Sequence, residues 1–126
     1  MASIFGRSNS VEPSNRTIEV LQERWRREAA GSDLGLWWPA DDVREILGAG
    51  VSEERVRQVT LQTLEPLLRD GSLRACDLTG QANFRSWPGS VDTWLSRIDR
   101  EWKALGEQPS IGDMVWFVGR SANVER

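Results

Sequence analysis

The chain has 126 residues and a mass of 14.3 kDa, with 39% apolar and 28% charged residues, a net charge of -3 and a pI near 5.0. That mix suits one globular domain and argues against a disordered chain or a protein whose overall basic charge draws it to nucleic acid or anionic membrane. There is no histidine, one cysteine (Cys76) and one lysine (Lys103), so the usual neutral-pH acid–base group and the usual metal ligands are missing, and the expectation moves from catalysis to contact.

Residues 1–14 are small and polar around Pro13 and read as a flexible lead-in to a single domain over 15–120. Ile18, Leu21, Trp25 and Ala29 recur at helical spacing, which predicts a first helix over 16–30 that stops at Gly31. A loop then runs to Pro39 and carries Leu36, Trp37 and Trp38. A short helix is expected over 40–47, with Val43, Ile46 and Leu47 inward and Asp41 and Asp42 in its first turn. Ser52 is a good N-cap for a third helix that carries Val56, Val59, Leu64, Leu67 and Leu68 inward. Pro66 should kink or divide that helix near Thr63.

Gly71 ends the helical unit. Ser72 to Leu78 reads as a strand, Thr79-Gly80-Gln81 as a turn, and Ala82 to Trp87 as a second strand. Ser90 caps the clearest helix, 91–105, where Val91, Trp94, Leu95, Ile98, Trp102 and Leu105 repeat at three and four residues before Gly106. The apolar run Met114 to Val118 reads as a buried strand, and residues 121–126 as a frayed tail. Cys76, inside the first strand of the hairpin, reads as a small buried hydrophobe. The expected fold is α+β and winged-helix-like: three helices and a β-hairpin, with an appended amphipathic helix and a C-terminal strand.

No stretch approaches the ~20 apolar residues that span a bilayer, and Met1 to Ser10 lack the pattern of a signal peptide. With a single cysteine, the expected compartment is the cytoplasm. The other fifteen basic residues are arginine, and seven tryptophans accompany no tyrosine. Those choices match a GC-rich bacterial genome, such as that of an actinobacterium.

Two constellations carry the functional expectations. Asp41, Asp42, Glu45, Glu53 and Glu54 lie in or near the first turns of two consecutive helices and could form an acidic face for a basic protein partner. Trp37 and Trp38 adjoin them; one should pack while the other stays available as a contact residue. The alternative is DNA. Arg55, Arg57, Gln58 and Gln62 lie where a winged helix places its recognition helix, and arginine and glutamine read guanine and adenine edges. Glu53 and Glu54 open that helix and would repel phosphates. An extensive apolar surface around Trp37 and Trp38 would instead suit a structural subunit. Catalytic pairs are weak. Asp41 and Asp42 are adjacent and do not face each other, and Gly48 to Gly50 lacks the rest of a phosphate-loop fingerprint. No enzyme activity, metal or cofactor is expected.

Two segments, TLQTLEPLLRDGSLRACDL (Thr60–Leu78) and FRSWPGSVDTWLSRIDREWKALGEQPSIGDMVWFVG (Phe84–Gly119), resemble small actinobacterial proteins of winged-helix-like plan. More distantly, they are similar to a bacterial family of unknown function whose members are linked to toxin immunity. In that family, too, a helix ending in LL.DG leads to a strand and a later amphipathic helix. The resemblance covers about half the chain and implies an immunity- or antitoxin-like protein that binds a toxin or effector; it carries over no binding residue.

Overall fold

A computed structural model describes residues 13–80, 83–109 and 114–120. The lead-in expected over 1–14 lies outside these residues except for Pro13 and Ser14, and the expected tail at 121–126 lies outside them too. The element order is α1 (Asn15–Gly31), β1 (Asp33–Gly35), α2 (Trp37–Leu47), α3 (Glu53–Arg69), β2 (Leu73–Gly80), β3 (Asn83–Ser86), α4 (Val91–Leu105) and β4 (Trp116–Gly119). The architecture is α+β: four helices and one four-stranded antiparallel sheet of order β1-β4-β2-β3.

Local chemistry sets the helix ends. The side chains of Ser14, Ser52 and Ser90 accept from the backbone N–H groups of Thr17, Arg55 and Thr93, three residues on in each case. At Ser90 the Thr93 hydroxyl accepts in return from the Ser90 N–H, which completes a capping box. Gly106 ends α4 at φ 74°, a left-handed conformation that costs glycine little.

Three expectations need correction. The segment read as a loop holds β1, which is too short to show an alternating pattern and is fixed by pairing Leu34 with Phe117. Trp37 and Trp38 therefore open α2 instead of lying in a loop. Pro39 does not bar this, because the first-turn N–H groups have no helical partner anyway. Nor does Pro66 divide α3. It falls in the last turn, and the carbonyl it leaves without a helical partner is that of Gln62, on the exposed side of the helix.

The helices cover one face of the sheet. Trp25, Trp102, Phe117, Leu34, Leu64 and Ile98 are all essentially inaccessible in the main core. α3 is the hub, packed against α1, α2, α4 and β2. Its buried Thr60 and Thr63 hydroxyls donate to the carbonyls of Val56 and Val59, so no hydroxyl in the core lacks a partner there. α1 lies close on β4: a Cβ on Gly119 would sit 2.8 Å from the Ala29 carbonyl oxygen, so only glycine fits. The other sheet face carries a smaller cluster of Cys76, Phe84 and Val118, with Trp116 packed on it.

Cys76 is a free, buried thiol, as its place in the strand predicts. Burial pushes it from the ordinary 9.0 to about 11; nearby Arg74 opposes the shift weakly and Asp77 adds to it. Two results are expected. At pH 8 a disulfide-exchange reagent should react with the folded protein far more slowly than with the urea-unfolded chain. Because the folded pKa is the higher one, this thiol's contribution to stability is complete below pH 9 and is lost as pH rises from 9.0 to about 11. Urea midpoints across that window should fall more steeply in the native protein than in a Cys76→Ala variant.

Candidate protein-binding surfaces

The acidic residues on α2 and α3 divide into an inner and an outer set. Asp42 accepts from the Trp25 indole Nε1 at 2.8 Å and pairs with Arg24 at 3.5 Å, with only 14% of its side chain exposed. Glu53 accepts from the Trp102 indole Nε1 at 2.8 Å and takes both its oxygens to one Arg44 nitrogen at 2.9 Å. These two carboxylates satisfy buried indole donors and tie helices together. Asp41, Glu45 and Glu54 face outward. Asp41 accepts from Arg44 at 3.0 Å and from Gln108 at 3.3 Å; Glu54 accepts from Gln58 at 3.3 Å.

Of the two acidic clusters, one carboxylate from each meets at a shared guanidinium: Asp41 and Glu53. Arg44 joins Asp41 on α2 to Glu53 on α3, so the outer carboxylates lie on two packed helices. Sequence reasoning missed Arg44 as the bridge. Its position three residues after Asp41 was a readable signal for one half of it. The indole partners, Trp25 and Trp102, were read as core only; nothing local signals a bond across 17 or 49 residues.

Trp37 and Trp38 are both half-buried, with ring centroids 5.6 Å apart and planes tilted by 41°. Trp38 packs on the main core, while Trp37 lies against Gly35, where a Cβ would come within 2.6 Å of its Nε1. Both keep part of their surface exposed.

The constellation for DNA is dispersed. Arg57 is buried and donates through Nε to Asp99 on α4 at 2.8 Å, so it faces the core and not a groove. Arg55 is half-buried, and Gln58 and Gln62 are exposed. The outward stripe of α3 runs Glu54, Gln58, Gln62, Pro66 and Arg69. Its one arginine is bonded to Glu65 at 2.8 Å and Asp92 at 2.6 Å. These partners hold the Arg69 guanidinium more firmly protonated than usual.

A further cluster was not anticipated. Trp87 donates from Nε1 to Asp77 at 2.8 Å, and Arg97 of α4 stacks over its ring at 3.7 Å from the centroid. Arg97 also pairs with Glu101 at 2.8 Å and with Asp77 at 3.7 Å. These groups line an open cleft of about 350 Å³ together with Leu78, Met114, Val115 and Trp116. Only the Arg97–Glu101 spacing of four residues was visible in sequence.

Among the described residues, no group of three or more acidic or cysteine side chains could hold a metal ion, and no helix is long and apolar enough to cross a membrane. No family model, curated protein or solved structure matches the chain.

Proposed function

We propose that this chain is a non-catalytic protein-binding module of the immunity or antitoxin kind, which acts in the cytoplasm by occluding a basic protein. The observation that carries the reading is the outward set Asp41, Glu45 and Glu54 on two packed helices, whose shared arginine, Arg44, is held on Glu53. That arrangement offers carboxylates to a partner without a free cation beside them on Arg44. The lack of histidine throughout the chain supports contact over catalysis.

In fold terms we read α1 to β3 as a winged-helix-like unit, with α4 and β4 as additions. Three helices followed by a hairpin support this. β4 enters between β1 and β2, so the addition sits within the sheet and not at its edge. The DNA-binding use of such a unit draws no support from the outward stripe of α3, which carries Glu54 and a paired Arg69.

The test is kinetic. Against a basic partner at low salt, the combined D41N, E45Q and E54Q variant should associate about tenfold or more slowly, with a flatter salt dependence and a dissociation rate changed much less. Unchanged association would remove this surface from the reading.

A further inference from the structure

We infer that the outward stripe of α2 receives an arginine side chain of the partner protein, stacked on Trp37 and hydrogen-bonded to Asp41. The inference rests on the basic-partner reading and names the side chain that the acidic face recognises.

Helix spacing brings the parts together. Trp37, Asp41 and Glu45 follow one another at intervals of four along α2, so they fall on one stripe. Helical side chains tilt toward the N-terminus, which leans Asp41 toward the turn that carries Trp37. The chain beyond α4 meets both residues. Gln108 donates to Asp41 at 3.3 Å, and its neighbour Pro109 lines a small pocket with Trp37.

The carboxylates of the stripe have acceptor capacity left. Asp41 is 50% exposed and takes its bonds from Arg44 and Gln108 on the same oxygen, Oδ1. Among the described residues nothing donates to its Oδ2, and Glu45 makes no hydrogen bond or ion pair. The wider charge balance agrees. On α2, in the first turn of α3 and from Trp102 to Pro109, with Arg24 added for its pair with Asp42, six carboxylates (Asp41, Asp42, Glu45, Glu53, Glu54 and Glu107) stand against four cations (Arg24, Arg44, Arg55 and Lys103). The remaining charges of α1 cancel, three against three. Two negative charges are left over.

The indole supplies the other half. Trp38 packs on the core and holds the Trp37 ring 5.6 Å from its own. The Trp37 Nε1 lies against Gly35, buried and without an acceptor among the described residues. A phenyl ring would fill that place without stranding a donor, so fold stability does not account for an indole here. Cation recognition does, because tryptophan offers the best aromatic face for a cation. A guanidinium is planar and stacks on such a face while its in-plane N–H groups reach Asp41 Oδ2, whereas a lysine ammonium is a strongly hydrated point charge.

The probes are acetyl-Gly-Arg-Gly-Arg-Gly-amide and its lysine counterpart, titrated into the full chain while the backbone amide resonances of α2 are followed by NMR. The arginine peptide is expected to bind about threefold or more tightly than the lysine peptide. Trp37→Leu should abolish that preference, and D41N, at an exposed position, should weaken the arginine peptide by about threefold. E54Q, outside the stripe, should leave it unchanged. Equal affinity for the two peptides, or an arginine preference that survives Trp37→Leu or D41N, would overturn the site. If binding were then still lost in D41N/E45Q/E54Q, the acidic-face reading would stand without it. Binding of neither peptide, or binding indifferent to D41N/E45Q/E54Q, would overturn both.

Discussion

Trp25→Ala is expected to cost about 3–5 kcal/mol of folding stability, a fifth or more of the ~5–15 kcal/mol available to an ordinary domain. Two effects add. The indole is wholly inaccessible in the core between α1 and its neighbours, and its removal leaves a cavity that a packed interior fills only in part. It also leaves Asp42 without the 2.8 Å indole donor, with Arg24 as its remaining ion-pair partner. Trp25→Phe separates the two. It keeps most of the volume and loses the N–H, so about 1–3 kcal/mol is expected. Urea unfolding of the three proteins at a common slope checks this. Equal stability of the phenylalanine variant and the native chain would show that the Asp42 bond contributes nothing net.

Asp99→Ala is expected to destabilise more than Arg57→Met, although both remove the same ion pair. Only 10% of the Arg57 side chain is exposed, against 43% for Asp99. Removing Asp99 leaves a guanidinium unpaired in a mostly dry site between α3 and α4. Full burial of such a charge costs about 3–5 kcal/mol, and water reaching in through the half-open Asp99 side lowers the figure to about 2–3 kcal/mol. Removing Arg57 in favour of methionine keeps the apolar stem and returns a carboxylate to water, at a cost within about 1 kcal/mol. Urea unfolding decides the order of the two. If Arg57→Met proved the costlier change, the pair would be acting through Asp99 and the inward placement of Arg57 would not matter to the fold.

The same pair explains why one part of the sequence reading held and another did not. α4 could be read to the residue, because every signal for it is local: a Ser90–Thr93 capping box, an apolar repeat of three and four, and Gly106 in the left-handed region. α3 could be read from Ser52 onward for the same reason. The inward stripe of α3 could be read too, since Val56, Val59, Leu64, Leu67 and Leu68 are all buried, but the burial of Arg57 could not. Arg57 belongs to a polar run in sequence, yet Asp99 of α4, 42 residues further along the chain, covers it. Burial on so many sides follows from α3 being the hub of the domain, and that is a property of topology.

β1 was illegible for a related reason. Three residues hold no alternating pattern, and Asp33–Gly35 becomes a strand only because β4 returns from the far end of the chain to pair with it. The acidic constellation was half legible. The carboxylates of α3's first turn were plain, but Asp41 and Asp42, expected in the first turn of α2, fall beyond it because that helix opens at Trp37. The division into inward Asp42 and Glu53 and outward Asp41, Glu45 and Glu54 depends on indole donors distant in sequence. The cleft by Trp87 was hidden altogether, since it arises where β4 stops pairing one residue before Asp77.

The measurement that bears most directly on the central claim is an affinity capture from the protein's native lysate, treated with nuclease, using the native chain and the D41N/E45Q/E54Q variant side by side. The account predicts one stoichiometric, basic protein on the native chain that survives nuclease treatment and is depleted on the variant. Nucleic acid alone, released by moderate salt, or a protein captured equally by both, would contradict it.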